Sequence, residues 1–419
     1  MLTRRTTFRL YPNKRQGQKL HYWRKLHCLL YNAAVYHRKT EYQRFGKSVS
    51  YLDQQNCLPA FKECWGEYKE LGSQALQATL KRVDFAYQRF FQGLGKRPKF
   101  KASRRYSGFT YPGIAGWKVE SNGKHGHLNL SKLGKIQIRG ESRTWGTPTT
   151  CTIAWKQGKW YASITISCIP TRETGTGAIG LDIGCLTAVA MNDGTKINNP
   201  RFLSSAQKQI NKVSKQLRRK RSPQKRKTKA SRRWKKARKQ VSKLQSKVAN
   251  RRQNWVHQVA AQIVSSNSLV ATEELTVKNM TASSKKGKRK RQKAGLNRSI
   301  LDVGFGMLRS AIKYKVVEAG GVFVDVPTKK IKPSQTCPDC GLQQKKELDE
   351  RIHQCPCGCT LDRDVASAIV CLNYARGLGT SLLDGDGSAL SKSPQRCGGF
   401  RQQIQAKRQK LQAQCSEAE

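Results

Sequence analysis

Apolar residues recur at helical spacing between residues 13 and 94, at Leu20, Trp23, Leu26, Leu30 and Ala34 and again at Leu76, Leu80, Val83, Tyr87 and Phe90, with basic residues between them. That spacing predicts two or more amphipathic helices. On either side the period shortens to two, in TTFRLYP at 6–12, HLNL at 127–130, IQIR at 136–139, TCTIAW at 150–155 and WYASITISC at 160–168. Gln157 and Gly158 supply the turn between the last pair. A helical block enclosed by strands predicts a small β-barrel, residues 1–12 and 95–172, with a helical insertion at 13–94.

After the linker TRETGTG the pattern changes to AIGLDIG and LTAVAMNDG, two strands joined by a tight turn, so a new domain begins near Gly177. A basic, helix-compatible stretch follows from Lys208 to Arg252, with Leu217, Trp234, Val241, Leu244 and Val248 as sparse apolar contacts. Then come a helix carrying Trp255, Val256, Val259, Ala260 and Ile263 on one face, the strand SLVATEEL, a second basic run at 285–293, a helix from Leu301 to Val317 and the strand GVFVDVP. This order is α/β. From Gly377 onward Gly, Ser, Gln and Lys dominate, and residues 377–419 read as a disordered tail.

Charge narrows the partner. Lys and Arg number 81 against 26 Asp and Glu among 419 residues, a formal net charge of +55. With 37% hydrophobic residues the chain builds real cores, so the excess belongs to a folded protein and calls for a polyanion. The start MLTRRTTFRLYPNKRQGQKL lacks the apolar run of a secretory signal, and no stretch reaches the length of a membrane span, so the reading is a soluble, cytoplasmic protein with no membrane partner. The charge is spread along the chain rather than along one amphipathic helix, which favours a long nucleic acid path. Between Asp193 and Glu273 there is no acidic residue, and the basic stretch there reads as a nucleic acid groove wall against the plainer alternative of a solvated hairpin. No long heptad run signals oligomerisation.

Of fourteen Cys, five sit together as Cys337-Pro338-Asp339-Cys340-Gly341 and Cys355-Pro356-Cys357-Gly358-Cys359. Disulfides are disfavoured in the cytosol, so these read as a structural Zn²⁺ site. The second half offers three thiols for two places; Cys355 and Cys357 are the favoured pair, with Cys359 able to replace either. The remaining Cys read as small apolar residues or bystanders. Tyr22, Trp23, Tyr31 and Tyr36 read as core rather than as base-stacking surfaces, because they stand at helical spacing.

Few acids stand in so basic a chain. Asp182 lies in the middle of an apolar strand, GLDIG, where a buried carboxylate is costly unless it is paired or binds metal. Glu273 follows Leu269-Val270-Ala271 at another strand end, and Asp364 opens a helix, DVASAIV, directly after the cysteines. Singly, a helix cap explains Asp364 and solvation explains Glu273. Together, carboxylates from two strands and a helix start can hold two Mg²⁺ ions, the clamp for in-line displacement at a phosphodiester, and so point to a nuclease.

The runs GLDIG, EELTVKNM, PSQTCPDCG and CPCGCTLDRDVASA resemble the RuvC-like nuclease of the TnpB (OrfB) family, encoded by bacterial insertion sequences and related to type V CRISPR effectors. RLYPNKRQ, RPKFK at 97–101, GKWYASI and NRSILDVGFGMLRSAIKYK extend the likeness over residues 1–376. The resemblance implies a RuvC-like (RNase H-like) α/β nuclease domain at 176–332 and 361–376, an inserted zinc ribbon at 333–360, and a preceding β-barrel wedge domain with a helical recognition insertion. It implies Asp182, Glu273 and Asp364 as the catalytic acids, holding Mg²⁺ or Mn²⁺, with Glu273 preferred to Glu274 and Asp364 to Asp362. Two departures stand out: Ala366 where the family often has Asn, and a second cysteine pair one residue short, which leaves the fourth zinc ligand open. The implied activity is RNA-guided endonuclease cleavage of double-stranded DNA, by a monomeric protein bound to a guide RNA from its element's end and reading a short target-flanking motif. The alternatives are a transposase acting directly on element ends and a cleavage-dead repressor; retention of all three acids argues against the latter.

Overall fold

In this computed structural model residues 2–223, 230–283, 290–347 and 350–377 are described. The tail beyond Gly377 lies outside them, as do 224–229 of the first basic stretch and 284–289 of the second. The chain forms two compact units, Met1–Pro170 and Thr171–Glu419.

In the first unit β1 (Leu2–Tyr11) leads into α1 (Lys14–Phe45), α2 (Tyr51–Asn56), α3 (Leu58–Cys64) and α4 (Ser73–Phe91). The strands β2 (Gly108–Tyr111), β3 (Trp117–Glu120), β4 (Lys124–Leu130), β5 (Gly134–Glu141), β6 (Thr147–Lys156) and β7 (Lys159–Cys168) follow. They pair antiparallel in the order β2-β6-β7-β1-β5-β4-β3. Among the described residues no ladder joins β2 to β3, so hydrogen bonds do not close the expected barrel. Strict alternation along β7 buries Trp160, Ala162, Ile164, Ile166 and Cys168, and the apolar stripes of α1 and α4 (Leu20, Trp23, Leu76, Leu80, Val83) complete the same core. A capping box starts α1, the Gln16 N–H donating to Asn13 Oδ1 at 2.8 Å and the Asn13 N–H to Gln16 Oε1 at 3.1 Å.

In the second unit β8 (Gly177–Asp182), β9 (Thr187–Met191) and β10 (Lys196–Asn198) precede α5 (Phe202–Arg218) and α6 (Arg232–Ser266). Next come β11 (Asn267–Glu273), α7 (Val277–Met280), α8 (Lys290–Val303), α9 (Phe305–Glu318), β12 (Val322–Val326) and α10 (Thr328–Ile331). The unit's described part ends with β13 (Ile352–Gln354), β14 (Thr360–Asp362) and α11 (Arg363–Arg376). The main sheet runs β10-β9-β8-β11-β12, with β8, β11 and β12 parallel and the other two antiparallel. Helices cover both faces, as a parallel sheet requires. Ile179, Leu181 and Val270 face α6 and α9, whereas Leu269 and Ala271 face α11.

Two expectations change. The basic stretch is divided: its first part, 208–218, lies in α5, and its last part, 232–252, is continuous with the helix after it as one 35-residue helix, α6, which packs against α5. The helix read from Leu301 to Val317 is two, α8 and α9, because Gly304 takes the left-handed conformation (φ 81°) and ends the first.

Gly180 decides how closely α11 approaches the sheet. A Cβ there would lie 1.9 Å from the Ala368 carbonyl oxygen and 3.0 Å from Leu372 Cβ. Gly180→Ala is expected to destabilise the protein by about 3 kcal/mol, read as a lower melting temperature. Gly295→Ala, in α8 with nothing within 4 Å, should be neutral or slightly stabilising by about 0.5 kcal/mol.

Candidate nuclease site and cysteine cluster

Asp182 is the last residue of β8 and Glu273 the last of β11. The ladder pairs Leu181 with Thr272, so both carboxylates stand one residue beyond that pair at the same end of adjacent parallel strands. Asp182 is thus at a strand end, not mid-strand; Ile183 and Gly184 leave the ladder. Strand alternation puts Gly180 and Asp182, and likewise Ala271 and Glu273, on the face toward α11. Asp364 lies in the first turn of α11, which packs against β8 and β11. All three are partly exposed.

Their electrostatics show the convergence. Burial first, then the charges of Glu273 and Asp364, push the Asp182 carboxyl well above the ordinary range, against the weaker opposing pull of the Ile183 N–H and Arg363. Burial also raises Glu273. Cys371, on α11, is fully buried, and its thiol is raised by burial and by the charges of Glu273 and Asp182, which places it beneath the same carboxylates.

Neighbouring acids are otherwise engaged. Glu274 is exposed, its N–H donating to the Val326 carbonyl at 2.9 Å. Asp362, not Asp364, is the N-cap of α11, accepting from the Asp364 and Val365 N–H groups at 3.1 and 3.3 Å. Capping therefore does not account for Asp364. The sequence reading also missed Asp302, a buried acid with a structural role. It accepts from the Leu203 N–H at 3.0 Å and from Arg252 at 2.7 Å, tying α5, α6 and α8 together.

The cysteines gather into one cluster. The sulfurs of Cys337, Cys340, Cys355 and Cys357 all lie within 4.8 Å of one another, with Cys337 to Cys357 at 3.7 Å and Cys340 to Cys355 at 3.5 Å. A tetrahedral site with Zn–S bonds of about 2.3 Å needs sulfurs about 3.8 Å apart, so this donor set fits Zn²⁺. Burial alone raises the Cys337 thiol, but hydrogen bonds from the Cys340 N–H, the His353 ring and the Asp339 N–H outweigh it and bring it down to about 6. Cys359 belongs to a second, overlapping group, Cys337 with His353 and Cys359, all three buried. His353 escaped the sequence reading, because a lone His outside the paired-cysteine spacing gives no signal. Elsewhere Cys28, Cys151, Cys168 and Cys371 are buried as small apolar residues. Trp23 and Tyr31 are core, whereas Tyr22 and Tyr36 are exposed.

No helix among the described residues is long and apolar enough to cross a membrane. Residues 161–284 match the OrfB_IS605 family, described as "Probable transposase", and residues 305–371 match the Cas12f1-like TNB domain. The chain is 29% identical over 382 residues to the "Putative RNA-guided DNA endonuclease InsQ" of Escherichia coli (strain K12), covering 88% of this chain and 90% of that protein. It is 29% identical over 411 residues to a "Putative RNA-guided DNA endonuclease" of Streptomyces pristinaespiralis, covering 93% of each. Among solved structures, the protein of a Cas12f1-sgRNA-target DNA complex shares the fold, with a TM-score of 0.53 at 12% identity, over 89% of this chain and 99% of that one. The two matched segments span the carboxylate-bearing strands and the cysteine cluster, and both relatives align along nearly their whole length, so the chain is similar over most of its length to OrfB-type transposase-family proteins and to proteins named RNA-guided DNA endonucleases.

Proposed function

We propose that the chain is an RNA-guided DNA endonuclease and that Asp182, Glu273 and Asp364 carry its phosphodiester cleavage. The observation that carries this reading is the convergence of three carboxylates at one end of a sheet, close enough for two of them to raise the proton affinity of the third. Such mutual repulsion is relieved by cations, and an all-carboxylate oxygen set suits Mg²⁺ or Mn²⁺. Divalent ions held there supply Lewis acidity and charge neutralisation for hydrolysis. The chain's own part is placement: β8 and β11 fix two carboxylates in adjacent register, and α11, admitted by Gly180, brings the third. Zn²⁺ on Cys337, Cys340, Cys355 and Cys357 has a structural role, holding the ribbon (333–360) that leads directly into α11.

The basic faces of α5 and α6 serve the phosphates of guide RNA and heteroduplex, guide pairing reads the target, and the unit Met1–Pro170 reads the flanking motif. The relatives matched over about nine-tenths of the chain are named for this activity. The transposase description of the matching family favours direct action on element ends as the second reading, which predicts joined DNA products without RNA.

The test is purification with co-expressed element RNA, sequencing of the bound RNA, and cleavage of a target library with a randomised flank in Mg²⁺. Cleavage by the wild type and none by Asp182→Ala is the expected result; equal behaviour of the two refutes the site. Binding should be steeply salt-dependent, with affinity falling about a thousandfold or more between about 50 and 200 mM salt if six or more phosphates are contacted. An affinity indifferent to salt contradicts the assigned role of α5 and α6.

A further inference from the structure

We infer that the ion pair between Lys196 and Asp362 is a positioning device for the third carboxylate, Asp364; the inference rests on the nuclease reading of this site. Asp362 stands at a junction. It is the last residue of β14, paired opposite Ile352, and the N-cap of α11. One of its oxygens, Oδ1, accepts from the Asp364 and Val365 N–H groups, and the other, Oδ2, accepts from Lys196 Nζ at 2.6 Å. The first turn of α11, and with it Asp364, is therefore held through Asp362 by a lysine on a distant strand.

The place of that lysine gives the pair its meaning. Asp182 pairs with Ala190 across the β8–β9 ladder, and Ala190 pairs with Lys196 across the β9–β10 ladder. The first carboxylate and the lysine thus share one row of the sheet, two strand spacings or about 10 Å apart. A rigid row with Asp182 at one end and the grip on the α11 cap at the other fixes the separation of the first and third acids. Stability does not explain the arrangement, because Lys196 and Asp362 are 37% and 38% exposed, and an exposed pair adds little to folding. The adjacent Arg363 holds the ribbon side of the junction, donating to the Glu347 and Glu350 carbonyls at 2.6 and 3.1 Å, which leaves the sheet side to Lys196.

The test compares the wild type with Lys196→Met, Lys196→Arg and Asp362→Asn as full-length protein with its co-purified RNA. Lys196→Met should raise the Mg²⁺ midpoint for cleavage about tenfold or more, as loss of a residue supporting a metal ligand does. Target binding and melting temperature should stay near those of the wild type, and Lys196→Arg should restore the midpoint. Asp362→Asn retains a capping oxygen and loses the ion pair, so it should match Lys196→Met, and the double variant should be no worse than either single one. In the protein without divalent ions, hydrogen exchange of the Asp364 and Val365 amides should quicken several-fold in Lys196→Met. A wild-type Mg²⁺ midpoint and unchanged exchange in Lys196→Met, with Asp182→Ala inactive, overturns the positioning role alone. Weakened target binding at an unchanged midpoint also overturns it and makes Lys196 a phosphate contact. Cleavage by Asp182→Ala overturns the nuclease reading beneath it.

Discussion

Asp182→Asn is expected to lower cleavage by about a thousandfold or more, since an ion clamp at a phosphodiester is worth several kcal/mol in the transition state, and to make the metal-free protein more stable. The second effect follows from the same carboxylates. Burial, Glu273 and Asp364 push the Asp182 carboxyl well above its ordinary range. From about pH 4 up to that raised value, the folded protein keeps a proton that the unfolded chain has released. The folded state binds more protons in that window, so its stability falls as pH rises through it. Asn carries no charge to desolvate or repel. Calorimetry with chelator present should therefore show the wild-type melting temperature declining, as pH rises from the ordinary carboxylate range toward that raised value, more steeply than that of the variant. Added Mg²⁺ should raise the wild-type value, because ions that bind only the folded state stabilise it, and should raise the variant little. A variant that melts no higher than the wild type in chelator, with the same pH slope, would show that the three acids do not repel one another.

Cys337→Ser should be the most disruptive change in the second unit. Cys337 is fully buried and is the one sulfur common to both donor groups, so its loss leaves neither intact. Structural zinc binding is worth about 10–16 kcal/mol in small zinc modules, where it supplies most of the folding energy. The variant should carry less than about half an equivalent of zinc, lose the order of β13 and β14, and cleave no target, because Asp362 ends β14 and caps the helix that bears Asp364. Cys359→Ser, by contrast, should keep its zinc, as Cys359 lies outside the four-sulfur group. Metal analysis of Cys359→Ser beside Cys340→Ser, which removes a member of the four-sulfur group, decides the ligand set: zinc lost from Cys359→Ser and kept by Cys340→Ser would reassign it.

How much was legible depended on whether a feature had a local period. The stripe from Leu20 to Ala34 and the alternation from Trp160 to Cys168 repeat their signal over several turns or residues, so α1 and β7 are plain in the sequence. The acids were legible because each follows or opens an apolar run in a chain with few carboxylates, and the cysteines because their spacing is itself a geometry. Strands β2, β3 and β10 have four, four and three residues, too few to show alternation. The unity of α6 was hidden by its basic first half, which carries few apolar contacts. The break at Gly304 was hidden for the opposite reason: apolar residues continue on both sides of it, and only backbone conformation marks the boundary. Pairings between remote residues left no trace. Lys196 and Asp362 lie 166 positions apart, and neither is conspicuous until the sheet row and the helix cap bring them together.

The parallel pairing of β8 with β11 also sets a timetable. Each of the three acids lies 91 positions from the next, at 182, 273 and 364, so the site is built from contacts of long sequence separation, which form late. At synthesis rates of about 5–20 residues per second, roughly ten to forty seconds pass between the first acid and the third. The polycationic hairpin of α5 and α6 leaves the ribosome within that interval, before α11 exists to complete the carboxylate set. With the roles proposed above, a nascent chain would acquire its affinity for nucleic acid before it acquires its means of cutting it.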